Sequence, residues 1–202
     1  LEIRLLGNHL WENAVALAMA GACFAGKDAE RWAAVGSELL SRELTEQVLQ
    51  DGGHFERSPM YHLRATFTLA MLANTGDASL MKLVAEPMRK MTAALGDMCH
   101  PDGGIALFND SVLGMHAAPS SVADFSRQLA DERPPTSIWT DSKTDSEPPD
   151  GDAKSLNALG VGAPISLSDT GYFGWRGDGA RQAHYLLCDA GAIGPDYLPG
   201  HA

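Results

Sequence analysis

Two Asp-Gly-Gly tripeptides constrain this chain more than any other feature. Asp51-Gly52-Gly53 and Asp102-Gly103-Gly104 stand 51 positions apart (102 − 51). Each follows a long stretch with apolar residues at helical spacing, and each precedes a run of polar side chains. Glycines just past a helix let the backbone turn left-handed without a Cβ penalty. A period of about 50 residues with two helices per period describes stacked helical hairpins, as in a solenoid or a closed α/α toroid.

The intervening segments support that reading. Residues 9–25, HLWENAVALAMAGACFA, are rich in Ala with large apolar residues on most faces, as in a buried helix. Gly26 suits its C-terminus and Asp28 the N-cap of a second helix over 29–49, which carries Trp32, Val35, Leu39 and Leu40 at helical spacing. Ser58-Pro59 is a start signal, with Ser as N-cap and Pro at the first helical position. That third helix ends at NTGD, and Asp77 caps a fourth over 78–97, in which Pro87 is expected to produce a kink.

Beyond residue 133 the chain changes character. Residues 134–168 are rich in Pro, Ser, Asp and Gly and read as a linker or long loop. From about Asp169 short aromatic and apolar runs alternate around RGDG, a hairpin signature with Asp178-Gly179 as the turn. The expected organisation is a helical segment over 1–133, a linker over 134–168, and the beginning of a β-region over 169–202. The start, LEIRLLGNHLWENA, lacks an initiator Met and a basic leader, and the end, DYLPGHA, is equally abrupt, so a fragment is expected at both ends.

Composition narrows the partners. A net charge of −11 without a basic tract argues against non-specific nucleic-acid binding. No run of about 18 uncharged apolar residues is present, which argues against a membrane partner. Cys23, Cys99 and Cys188 are odd in number and lack CxxC spacing, which favours buried free thiols. There is no GxSxG elbow, P-loop, GxGxxG or HExxH.

Four clusters carry chemistry. In GNHLWEN, Asn8, His9, Glu12 and Asn13 lie at a helix start, with His9 and Glu12 three apart on one face; a cap with a surface turn is the structural alternative. In DGGHFERSPMYHL, Ser58 as N-cap puts Tyr61 in the first helical turn. The helix N-terminus, Arg57 and Arg64 would then favour a phenolate or an anionic ligand there. The alternative is a loop braced by a Glu56–Arg57 pair. In HPDGGIALFNDS, His100, Asp102, Asn109 and Asp110 fit no metal or triad spacing, and turn residues are the simpler reading. Finally, His201 follows Pro-Gly in a loop position.

Taken together, GNHLWENAVALAMAG, DGGHFERSPMYH, HPDGGIALFNDS and DTGYF…DAGAIGPDYLPGHA resemble successive blocks of the heparinase II/III-like polysaccharide lyases, in order and over most of the chain. The resemblance implies a mainly α chain, a partial α/α toroid of helical hairpins, followed by the start of an antiparallel β-sandwich. It implies β-elimination on a uronic acid within an acidic polysaccharide or oligosaccharide. Tyr61, His9 and His201 match catalytic positions, and Asn8 and Glu12 match positions that meet the substrate carboxylate; Arg57 is a further candidate for substrate binding by its charge, which could attract a sulfate or carboxylate. His201 matches the first histidine of an HxHxD-like motif whose later members, beyond Ala202, bind a structural zinc in some relatives; no metal or other cofactor is expected within these residues. The family is commonly periplasmic or secreted. Two other readings stay open: a toroid glycoside hydrolase using Asp102 and Asp110, and a non-catalytic glycan-binding protein on the same fold.

Overall fold

The computed structural model describes residues 6–130, 164–177 and 184–192. Two antiparallel helical hairpins form its body: α1 (Asn8–Cys23) with α2 (Lys27–Gln47), then α3 (Pro59–Ala73) with α4 (Ala78–Asp97). A further helix, α5 (Pro119–Ala130), packs against both α3 and α4. The sheet is three-stranded and antiparallel, ordered β1 (Pro164–Leu167), β2 (Tyr172–Arg176), β3 (Tyr185–Asp189).

Local chemistry fixes most helix ends. The Ser58 hydroxyl accepts from Tyr61 N–H with Pro59 behind it, and the Asp77 carboxylate accepts from the N–H groups of Ser79 and Leu80, so both expected caps are in place. Pro87 lies inside α4, which continues past it to Asp97. The α1–α2 connection differs from expectation. Helix α1 ends at Cys23, and Gly26, with φ of 102°, precedes α2, leaving Asp28 in its first turn instead of at its cap. A carboxylate there still complements the helix dipole. The two helices approach closely because Gly21 faces Ala33 and Gly36 faces Ala18, where any Cβ would strike the other backbone.

The core is continuous through the hairpins. Trp11, Val15, Leu40, Leu69, Leu72, Val84, Met88 and Met91 are buried together, and the Trp11 indole donates to Thr68 Oγ1 at 3.0 Å. A second cluster, Met60, Leu63, Leu95, Cys99, Ile105 and Val122, sits under the start of α3 and the end of α4. Helix α5 supplies Val122 to it. A third cluster joins α4 to the sheet through Ala94, Met98, Leu167 and Tyr172.

The Asp-Gly-Gly repeat is a repeat of structure. In the first turn Leu49 N–H donates to Gly53 O, Gly52 N–H to Leu49 O, Phe55 N–H to Gln47 O, and Gly53 N–H to Asp51 Oδ1. In the second, His100, Gly103, Ala106 and Gly104 make the same four bonds to Gly104, His100, Met98 and Asp102 Oδ1. The isolated bridges Val48–His54 and Cys99–Ile105 obey the same offset.

The sheet begins earlier than expected: β1 starts at Pro164, inside the segment read as linker, and pairs with β2 from Pro164–Trp175 to Leu167–Tyr172. Pairing of β2 with β3 fits the predicted hairpin, while the Asp178-Gly179 turn lies outside the described residues. One face of the sheet buries Ile165, Leu167 and Tyr172, whereas Phe173, Trp175 and Leu186 are 42–59% exposed. Of the cysteines only Cys99 is buried; Cys23 and Cys188 are exposed, contrary to the expectation of three buried thiols. No helix among the described residues is long and apolar enough to cross a membrane.

Candidate active site

The first turn ends in a backbone elbow that delivers Tyr61. Arg57 adopts φ of 54°, a left-handed conformation a non-glycine residue holds only when its surroundings impose it. Its carbonyl accepts from Asn109 Nδ2 at 2.9 Å and from the Tyr172 hydroxyl. Its guanidinium donates to Thr170 O at 3.0 Å and also reaches the carbonyls of Asp169 and Phe55. The next residue, Ser58, caps α3, and Ser111 Oγ accepts from Met60 N–H at 3.1 Å. Tyr61 thus stands at the third position of a helix whose start is held from two sides.

This assigns Arg57 a different task from the one expected. It braces the joint between helices and sheet through main-chain carbonyls. Glu56 turns the other way: its Oε1 accepts from Asn8 N–H at 2.7 Å, at the start of α1. Behind it the buried Gln47 amide donates to Gly7 O and to Glu43, while its Oε1 lies 3.0 Å from His54 Nε2. His54 is structural. Burial and the neighbouring His62 pull its pKa to about 3, so the ring is neutral. His62 is also buried, hydrogen-bonded to Met91 O at 2.8 Å, with a pKa lowered to about 4 chiefly by burial.

The two helix starts meet in an open cavity of about 380 Å³ lined by Asn8, His9, Glu12, Asn13, Tyr61 and Arg64. Sequence blocks some fifty residues apart therefore converge on one site. The Asn8 amide hydrogen-bonds the Tyr61 phenol, and Asn13 Nδ2 holds His9 O at 2.9 Å. Glu12 Oε1 accepts from Arg64 Nε at 2.7 Å.

The expected drift of Tyr61 toward a phenolate is not what this environment produces. Burial, then the negative charges of Asp110 and Glu56, raise its pKa above the ordinary tyrosine value, outweighing the Asn8 hydrogen bond and Arg64. The first-turn N–H groups of Met60 and Tyr61 are already occupied by Ser111 and Ser58. The phenol therefore rests protonated, poised to give a proton and needing a partner before it can take one.

Other predicted residues fall elsewhere. Asp102 is exposed in its turn, holding Gly104 N–H, and neither it nor Asp110 lines the cavity, so the carboxylate pair of a glycosidase does not converge there. His100 packs edge-on to Tyr185 at 4.8 Å, on the far side of the second turn. His201 lies outside the described residues. Among the described residues no group of three His, Cys, Asp or Glu side chains is placed to hold a metal, so no step is assigned to one.

Arg64 joins the site as its place beside Tyr61 suggested, and His116 is a neighbour that the sequence did not reveal. Arg64 is one turn beyond Tyr61 on the same helix face, a spacing that marks it out once Tyr61 is singled out. His116 sits within electrostatic reach of Arg64 and Glu12; burial and then Arg64 lower its pKa, with Glu12 opposing. Its loop has no local signal to reveal it.

Comparison with known proteins agrees with the geometry. The family model described as Heparinase II/III N-terminus matches residues 3–132. The chain belongs to the heparinase II/III family. It is 36% identical over 118 residues to a heparin-sulfate lyase of Bacteroides thetaiotaomicron, covering 52% of this chain and 17% of that protein. It is 27% identical over 197 residues to a heparin-sulfate lyase of Pedobacter heparinus, covering 93% of this chain and 28% of that protein. Among solved structures, a heparinase III superposes with a TM-score of 0.68 at 20% identity over 92% of this chain and 29% of its own. The heparan sulfate lyase HepC of Pedobacter heparinus gives 0.64 at 23% over 98% and 30%. The helical hairpins and small antiparallel sheet thus correspond to part of the heparinase III fold. The chain spans less than a third of the length of these relatives.

Proposed function

We propose that this chain forms part of a polysaccharide lyase that cleaves a uronic-acid-containing glycan by β-elimination. The observation that carries the reading is the convergence of Asn8, His9 and Tyr61 on one open cavity, with the phenol protonated at rest. The curated relatives named heparin-sulfate lyase support a sulfated glycosaminoglycan as substrate.

The reaction requires three acts. The C5 proton lies next to a carboxylate and is only feebly acidic until that carboxylate's charge is offset. Asn8 and His9, at the start of α1, are suited to bind it. A base removes the C5 proton, and the electron pair forms the C4–C5 double bond as the C4–O bond breaks. An acid returns a proton to the departing oxygen. A protonated Tyr61 hydrogen-bonded to Asn8 suits the acid role, and each such acid or base is worth about 10²–10⁴ in rate. His201 is proposed as a further acid/base group on the family's pattern. Acidic polysaccharides are the proposed partners, in the periplasm or outside the cell.

Full-length protein incubated with heparan sulfate and other uronate polymers should generate the ultraviolet absorbance of an unsaturated uronate. Release of reducing ends without that absorbance would overturn the lyase reading in favour of a hydrolase. Tyr61→Phe should lower kcat by about 10²–10⁴ while leaving substrate binding nearly intact; a variant that retains turnover would remove the phenol from the reaction.

A further inference from the structure

Arg57, a candidate for substrate by its charge, donates to the carbonyls of Asp169, Thr170 and Phe55. The cavity nevertheless has a cation. Of its described lining residues, Arg64 carries the one permanent positive charge, one helical turn beyond Tyr61 and 45% exposed. On a chain of net charge −11, an acidic sugar must find such a local charge.

Glu12, itself 29% exposed, approaches that cation from α1. It takes a single hydrogen bond, from Nε, at 2.7 Å. A guanidinium carries five N–H donors in a planar fork, so most of Arg64's donors are uncommitted among the described residues. An ion pair this open to water is weak and easily rearranged. Glu12 therefore does two things at once: it holds the Nε edge of the fork and cancels part of the charge that an anion would meet. His9 from α1, His116 from the loop before α5, and Asp110 and Glu56 near Tyr61 complete the titratable surroundings.

We propose that Arg64 receives an acidic group of the bound sugar, and that Glu12 orients Arg64 and determines how much negative charge the cavity accepts. This inference rests on the lyase reading for its substrate. The acidic group is a carboxylate or a sulfate, and the two sources are separated by comparing a sulfated heparan chain with its unsulfated counterpart.

The test is steady-state kinetics of the full-length protein on both polymers, with direct calorimetric binding of a sulfated heparin oligosaccharide alongside. Arg64→Gln should raise KM about tenfold or more with a much smaller change in kcat. It should also flatten the dependence of KM on ionic strength. Arg64→Lys, which keeps the charge but loses the fork, should fall between. Glu12→Gln should lower KM on the sulfated chain relative to the unsulfated one by about threefold or more. If Arg64→Gln leaves KM and oligosaccharide affinity within about twofold of the parent, Arg64 is not the receptor. An equal effect of Glu12→Gln on both polymers would remove its part in charge selection. Should no polymer yield an unsaturated product while oligosaccharide binding still depends on Arg64, the lyase reading fails and this inference stands.

Discussion

The turns at Asp51–Gly53 and Asp102–Gly104 share four hydrogen bonds at a constant offset, yet they bear different loads. In the first, Asp51 Oδ2 accepts from the N–H groups of Asp169 and Thr170 at 2.8 and 2.7 Å, and Oδ1 also holds the Thr170 hydroxyl at 2.9 Å. Asp102 holds only its own turn among the described residues. A Cβ on Gly52 would run into the Lys90 carbonyl, and one on Gly53 into the Thr170 hydroxyl, whereas Gly103 has open space around it. The same local sequence thus makes a buried joint in one repeat and a surface turn in the other. What separates them is the second residue of the bridge and what stacks on it. His54 and the sheet cover the first; in the second Ile105 faces the α3–α5 cluster, and the sheet grips the end of α4 instead, through Arg176 to Gly96 O and Cys99 O.

Acid should expose the difference most strongly. His54 and His62 have folded pKa values of about 3 and about 4, below the ordinary 6.5, so the unfolded chain binds more protons in between. Their contribution is intact above pH 6.5 and is lost progressively as pH falls toward 4. Urea midpoints measured across that window should fall, and His62→Gln should reduce the slope; a flat profile would break the assignment of two neutral rings.

Glycine substitutions come next. Gly52→Ala should cost about 3 kcal/mol or more, combining a left-handed φ with a backbone clash. Gly103→Ala, with φ of 91° and no clash, should cost about 1–2 kcal/mol. Equal losses in chemical denaturation would mean the turns are equivalent after all.

The aspartates rank below. Asp51→Ala strands two N–H groups of the sheet joint and should cost about 2–3 kcal/mol, against about 0.5–1 for Asp102→Ala. Thermal unfolding of the pair of variants gives the ratio directly. Tyr172→Phe removes one donor from Arg57 O while Asn109 remains; about 1 kcal/mol is expected, with a fall in kcat that exceeds any change in KM if the elbow positions Tyr61.

Which of these features could be read from sequence follows from their range. The cap at Ser58, the place of Tyr61 and the Asp77 cap of α4 depend on neighbours within four residues, and all are where the sequence puts them. The meeting of Asn8 with Tyr61 was reachable only through the family resemblance, since nothing local links α1 to α3. The bracing partners of Arg57, Asp169 and Thr170, were out of reach because they lie more than a hundred positions away. The early start of β1 was hidden by a Pro- and Gly-rich composition, although Ile165 and Leu167 alternate inward as a half-buried strand requires.

The bonds from Asp51 to Thr170 join residues 119 apart in sequence. Helix pairs close short loops, while this contact closes a long one and must wait for the entropy of that closure to be overcome. The hairpins should therefore assemble first, leaving Arg57 free to sample ordinary backbone conformations until the sheet docks. Refolding followed by hydrogen-exchange labelling would then show the amides of α1–α4 protected before those of Asp169 and Thr170, with the phenol of Tyr61 among the last groups to settle.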